Sequence, residues 1–301
     1  MRPQRVKQTI NHKFDHLLLI WEPEINATWV KFNPPGRPCI TRGLLNDMAR
    51  IQNLIADSAR QDDEYGVAGC VSYQVLASEL PGVFNLGGDL ALFTHLIREG
   101  DRDGLFDYAR TCIDILHASA TGYGLPITTI ALVQGEALGG GFEAALSANI
   151  LIAERGARFG FPETVFGLFP GMGAFSFLAR RVAPALAKRI IVSGKVYTAE
   201  ELYQLGIVDQ VVADGEGEES VRAFIRQRRN RVIGLQGLDR AIDRCNPISY
   251  EELIDVVSIW VETAMQLSEK NLRLMEYLVR AQEKRWSEPL AALPELLQAT
   301  A

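Results

Sequence analysis

Gly135-Glu136-Ala137-Leu138-Gly139-Gly140-Gly141-Phe142-Glu143 joins an apolar run of the chain to a helix. The run, Ile127 to Val133, is β-branched and apolar, as a strand buried on both faces requires, and the segment passes through three consecutive glycines into a helix reaching Ser147. Glycines at such a junction let the backbone approach a ligand closely. The helix start also presents unpaired N–H groups to developing negative charge. The segment is a candidate oxyanion site with Glu143 in the first helical turn. Taken alone, tight helix-to-strand packing, with Glu143 complementing the helix dipole, explains the same residues as well.

Working outward, Ile150 to Ala153 gives the next strand. Upstream, Leu17 to Glu22 and Thr28 to Phe32 read as a hairpin that ends in the breaker cluster Asn33-Pro34-Pro35-Gly36. Thr41 or Arg42 opens a helix whose Leu44, Leu45, Met48, Ile51, Leu54 and Ile55 recur at helical spacing. A strand over Val67 to Val75 and a helix over Asp103 to His117 complete an alternation that argues for an α/β architecture. Thr198 and Glu201 have capping-box spacing before a short helix closed by Gly206. Beyond the acidic stretch Asp214 to Glu219 the chain reads as helical, with Ser249 and Glu252 repeating that spacing and Leu253, Val256, Trp260, Ala264 and Leu267 sharing one face. The pattern divides the chain into a core at 1–212 and a helical region at 213–301, with a tail from Ser287 expected to fray.

Composition narrows the function. The 301 residues are 48% hydrophobic and 23% charged, with a formal net charge of -6, so no global field favours nucleic acid or an anionic membrane surface. Cys39, Cys70, Cys112 and Cys245 lie far apart, and His12, His16, His95 and His117 show no ligand spacing, so neither a disulfide framework nor a metal site is expected. The stretch Ile127 to Ala153 is broken by Gln134, Glu136, Glu143 and Asn149, which excludes a membrane span there. Leu17 to Trp21 is too short for a secretory leader, and a reducing, cytoplasmic setting is expected.

Two further segments carry chemistry. Phe84-Asn85-Leu86-Gly87-Gly88-Asp89-Leu90 is a second glycine loop after a strand, able to aim another N–H at the same oxygen; a plain turn with Asp89 capping the next helix is its simpler reading. Phe159-Gly160-Phe161-Pro162-Glu163 sets a carboxylate just inside a proline-started turn, followed by Gly167, Pro170, Gly171 and Gly173.

In this order and spacing, the three segments resemble the signature of the crotonase, or enoyl-CoA hydratase and isomerase, superfamily. The likeness runs from about Phe84 to Val212 and includes Ser193-Gly194-Lys195 and Ala199 to Asp209. It implies an α/β fold, a ClpP-like spiral of β-β-α units with a C-terminal helical region. It also implies that Glu143 and Glu163, twenty positions apart, are the catalytic pair and that the N–H groups of Gly88 and Gly140 form the oxyanion hole. Phe84 to Phe93, Leu125-Pro126-Ile127, Gln134 to Ser147 and Phe169 to Ala174 are similar, more narrowly, to bacterial diffusible signal factor synthases, which make cis-2-unsaturated fatty acid signals. Asn149, where ordinary hydratases usually carry aspartate, and Pro38-Cys39-Ile40, in place of their usual Asn-Ala-Leu, fit this narrower group.

That resemblance implies dehydration of a 3-hydroxyacyl chain on acyl carrier protein to the cis-2-enoyl thioester, followed by hydrolysis to the free acid, with no cofactor or metal. Coenzyme A as carrier, another crotonase activity, and a non-catalytic acyl-thioester-binding regulator remain alternatives. A homo-oligomer, trimer or hexamer, and a cognate sensor protein are implied in the same way. Leu138, Met172 and Trp260 are candidates to line an acyl tunnel, although core packing explains all three too. Arg180, Arg181, Lys188 and Arg189, or Arg226, Arg228, Arg229 and Arg231, are candidate docking clusters for an acidic carrier, of which the first lies nearer the site in sequence.

Overall fold

The computed structural model describes residues 14–64, 71–228 and 231–287. Two sheets carry the fold. The larger has the order β1 (Leu17–Glu22), β2 (Ala27–Phe32), β3 (Tyr73–Ser78), β5 (Thr128–Val133), β7 (Ile150–Glu154) and β10 (Gln210–Val212). The smaller has the order β4 (Val83–Asn85), β6 (Glu136–Leu138), β8 (Arg158–Gly160) and β9 (Tyr197–Thr198). β1 and β2 form the expected antiparallel hairpin, and β2, β3, β5, β7 and β10 run parallel. β2 and β3 are buried at every position, as parallel strands covered on both faces must be, whereas the edge strand β1 is partly exposed.

Each parallel strand of the large sheet from β3 to β7 feeds one of the small sheet and then a helical turn. β3 leads to β4 and α2 (Leu90–Arg98), β5 to β6 and α4 (Gly140–Leu146), and β7 to β8 and a 3-10 turn at Pro162–Phe166. These are the β-β-α units of the expected spiral. α1 (Arg42–Glu64) and α3 (Arg102–Ala120) pack on the face that carries the main core. On the other face, Trp29, Val75, Ile130 and Ile152 meet Val221 and Ile225 of α8 (Gly217–Arg228) in a second core. Along the chain, α5 (Ala174–Leu178), α6 (Pro184–Val192) and α7 (Ala199–Gln204) precede α8, and α9 (Val232–Cys245), α10 (Tyr250–Ala264) and α11 (Glu269–Ser287) follow it. Among the described residues, no helix is long and apolar enough to cross a membrane.

Local signals explain most boundaries. The Thr198–Glu201 capping box forms in both directions, Gly206 ends that helix at φ 77, and Ser249 Oγ accepts from the Glu252 amide. Three details differ from the sequence reading. β3 begins at Tyr73, and residues 65–70 lie outside the described residues, as does the tail after Ser287. The Gly135-to-Ser147 segment forms strand β6 before its helix, because Ala137 pairs between β4 and β8. The buried face of α10 is Leu253, Val257, Trp260, Val261 and Ala264; Val256 is half-buried and Leu267 lies beyond the helix end.

Candidate active site

The three glycine- and proline-marked segments meet because their strands are neighbours. β4, β6 and β8 are adjacent and parallel, so the chain leaving each emerges at the same edge of the small sheet. Gly87 and Gly88 follow β4, Gly139 to Glu143 follow β6, and Glu163 follows β8. This is where parallel α/β sheets characteristically hold ligands.

The first two loops touch through their backbones. A Cβ on Gly87 would lie 2.8 Å from the Leu138 carbonyl oxygen and 3.1 Å from Gly140 N, and one on Gly140 would lie 3.4 Å from Gly88 N. Only glycine tolerates the φ of 94° at Gly87 beside that contact. The Gly88 and Gly140 amides therefore sit side by side, and among the described residues neither donates to a loop carbonyl. The Gly88 loop is held from behind as well. Ile40 bridges to it with its N–H on the Gly87 carbonyl at 2.8 Å, and Pro38 O accepts from Leu86 N at 2.7 Å, which gives the Pro38-Cys39-Ile40 segment its role. Tyr108 Oη donates to Ile40 O at 2.5 Å and accepts from the Asp89 amide at 3.4 Å. Asp89 also caps α2, as its simpler reading required.

Glu143 is buried, and its Oε1 accepts from the Ala174 amide at 3.0 Å, aimed there by Gly173 at φ 106. Burial raises its carboxyl to about 7, against the pull of the Ala174 and Met172 amides. Glu163 is pushed well above the carboxylate range, by burial first and then by the Glu143 charge, and its buried Oε2 has no partner among the described residues. Burial and mutual repulsion disfavour ionising both carboxyls, so near neutral pH the pair favours keeping one proton, on Glu163. The rings just before them lock their relative placement: Phe142 stacks on Phe161, centroids 4.8 Å apart and planes at 21°.

Both carboxylates open on an apolar cavity that, counted out to its mouth, encloses about 870 Å³. Gly88, Gly140, Glu143, Glu163, Met172 and Trp260 all line it. Trp260 packs so closely on Gly171 that a Cβ there would lie 2.3 Å from the indole, and its ring meets Phe93 edge-on at 5.3 Å. Leu138 is the exception and does not line the cavity. On strand β6, Leu138 alternates with the core residue Ala137, so adjacency to Gly139 in sequence does not carry its side chain into the site. Sequence reasoning missed Tyr108, Phe93 and Cys112. Phe93 fills the space a side chain on Gly88 would need. Burial pushes the Cys112 thiol up, so it is an apolar lining group rather than a nucleophile. Among the described residues, no cluster of His, Cys, Asp and Glu is arranged to hold a metal ion.

The favoured docking cluster is not a free basic surface. Arg180 binds Glu252 at 2.7 Å and the carbonyls of Ser176 and Pro247. Arg181 binds Asp209 and the carbonyls of Ala148 and Ile207. Both tie the segment after the glycine-rich stretch to distant elements, leaving Lys188 and Arg189 exposed on α6. In the second cluster, Arg226 pairs with Glu219 and Arg228 with Asp239, and Arg229 lies outside the described residues. Asn149 is structural too. Its Oδ1 accepts from Thr129 N and Oγ1 at 2.9 Å, while its Nδ2 donates to Ala120 O at 3.2 Å, a donation no aspartate can make.

Comparison with known proteins agrees with this geometry. The family model described as enoyl-CoA hydratase/isomerase matches residues 30–233. A probable mitochondrial enoyl-CoA hydratase 2 of Arabidopsis thaliana is 28% identical over 208 residues, covering 69% of this chain and 65% of that protein. The chain spans roughly half to two thirds of the length of the first curated relatives it matches. Among solved structures, an enoyl-CoA hydratase from Bacillus halodurans superposes with a TM-score of 0.73 at 17% identity, covering 87% of this chain and 99% of that one. DspI from Pseudomonas aeruginosa superposes with a TM-score of 0.64 at 22% identity, covering 89% and 98%. At such identities the structures share the fold.

Proposed function

The chain belongs to the enoyl-CoA hydratase/isomerase family, and from that premise we propose that it dehydrates a 3-hydroxyacyl thioester on acyl carrier protein to the cis-2-enoyl thioester and then hydrolyses it, releasing a free cis-2-enoic acid signal. The observation that carries this reading is the pairing of two unlike buried carboxylates, Glu143 and Glu163, with two adjacent backbone donors at an apolar cavity. In dehydration one carboxylate takes the C2 proton and the other protonates the C3 hydroxyl, so that one water leaves and the C2–C3 double bond forms. In hydrolysis one of them takes a proton from the attacking water while the carrier thiol departs. Both steps place negative charge on the thioester oxygen, which the Gly88 and Gly140 amides are set to receive. Each such donor is worth roughly 3 to 4 kcal/mol of barrier.

Helix α10 supplies Trp260 to the cavity, and in this reading the region 213–301 also serves self-association in a cytoplasmic enzyme. The test is incubation with 3-hydroxydodecanoyl carrier protein and, separately, its coenzyme A ester, followed by mass spectrometry. Free cis-2-enoic acid is expected from the carrier-linked substrate. Interconversion of enoyl and 3-hydroxyacyl thioesters without release would instead make the protein an ordinary hydratase, and binding without turnover would make it a regulator.

A further inference from the structure

The cavity has two ends of different chemistry, and only one is occupied by the reaction. Three elements give the same order of depth. α1 starts beside Ile40, which bridges Gly88, and presents Leu44, Met48 and then Gln52 to the cavity. α3 presents Tyr108, bonded to Ile40 at the hole, and, about three turns further on, Ser119. On β3, Leu76 lies on the side leading to β4, and Gln74 lies further back on the same strand face. The far end thus includes Gln52, Gln74 and Ser119, polar residues in an otherwise mostly apolar lining.

These side chains are built into a buried network. Gln52 Nε2 donates to the Ile115 carbonyl at 3.0 Å, and Tyr123 Oη donates to Gln74 Oε1 at 2.8 Å. The Gln52 amide also lies against the buried Tyr123 hydroxyl, and the Tyr123 backbone is held at φ 63, a left-handed conformation uncommon for a tyrosine. The tyrosine thus joins the two glutamines behind the cavity. A hydrocarbon end pressed on this network strips its amides of any water and offers no hydrogen bond in return.

We propose that the Gln52–Tyr123–Gln74 network is a length gauge that stops the terminal methyl of an acyl chain and so sets the longest tail the site accepts. The gauge rests on the acyl-thioester reading for its substrate. From Leu44 to Gln52 the helix advances about 12 Å at roughly 1.5 Å per residue. An extended carbon chain advances about 1.25 Å per atom, from C–C bonds of about 1.5 Å. The Leu44-to-Gln52 face of α1 is therefore as long as roughly ten extended carbons.

Calorimetric titration with straight-chain acyl-pantetheines from butanoyl to hexadecanoyl tests this on the whole protein without requiring turnover. In the unaltered protein, affinity should rise with length and then drop by about tenfold or more at the step that reaches the network. Gln74→Leu should move the drop outward by two carbons or more and leave shorter chains unaffected. Tyr123→Phe, which removes one oxygen without changing the packing, should soften the drop even if the leucine variant fails to fold. An unaltered protein with no drop, or a drop at the same length in both variants, overturns the gauge. A drop in a protein that transforms no thioester would keep the gauge and sink the proposed activity. Turnover with no drop would do the reverse.

Discussion

Glu163 Oε1 lies 2.3 Å from the point a Cβ on Gly139 would occupy, so the missing side chain at 139 is what leaves room for the carboxylate. Gly139 is also at φ 51, where an L side chain is strained. Gly139→Ala should therefore displace Glu163 and distort the turn into Gly140. Because misplacing a reacting group by about 1 Å can cost roughly 10²-fold in rate, kcat should fall by about that factor. Steady-state kinetics alongside circular dichroism check this, and an alanine variant with unaltered kcat would remove Glu163 from the mechanism.

Glu143→Gln and Glu163→Gln should each lower dehydration by roughly 10²- to 10⁴-fold, the usual contribution of a positioned acid or base. The rate should need the singly protonated pair. Its acid limb should lie near 7, where Glu143 gains its proton, and its alkaline limb higher, where Glu163 loses its own. A pH–rate profile without an acid limb would contradict this.

The same carboxylates destabilise the fold at alkaline pH. Glu143 is raised in the folded state from the usual 4.5 to about 7, so the native chain binds the extra proton and its stabilising effect is complete below about 4.5. The effect is lost progressively as pH rises through 7, by about 3 kcal/mol in all. Glu143→Gln should thus match the unaltered protein in Tm at pH 5 and exceed it at pH 8. Thermal melts across that range decide it, and equal Tm differences at both pH values would refute the linkage.

The site was legible where its signals are local. Glycine runs and a proline-started turn at 84–90, 135–143 and 159–163 mark backbone that must bend or approach a ligand, and the structure brings these segments to one sheet edge. What was not legible depends on partners far along the chain. Arg180 and Arg181 read as a charge run, yet Glu252 and Asp209 hold them. Leu138 sits next to a key glycine, yet strand alternation removes it from the cavity. Tyr108 lies on a helix with nothing local to connect it to Ile40 or Asp89. Gln52 did leave a trace, as a polar residue continuing the Leu44 and Met48 face of α1.

Reversing Arg180 or Arg181 to glutamate should consequently damage stability rather than carrier recognition. Removing one member of a partly buried, hydrogen-bonded pair costs about 3 to 5 kcal/mol at the buried extreme, so Tm should fall by several degrees. The loss of kcat/KM should be equal for carrier-linked and N-acetylcysteamine thioesters. A loss confined to the carrier-linked substrate would restore the docking role.

The most direct test of the central claim is a single turnover with a carrier-linked 3-hydroxyacyl chain dideuterated at C2, run in ¹⁸O-labelled water. Two steps at one site predict free cis-2-enoic acid that retains one deuterium and carries one labelled oxygen in its carboxyl group, with none formed by Glu143→Gln or Glu163→Gln. Release of the 3-hydroxy acid with both deuteriums, or an enoyl chain still bound to its carrier, would contradict it.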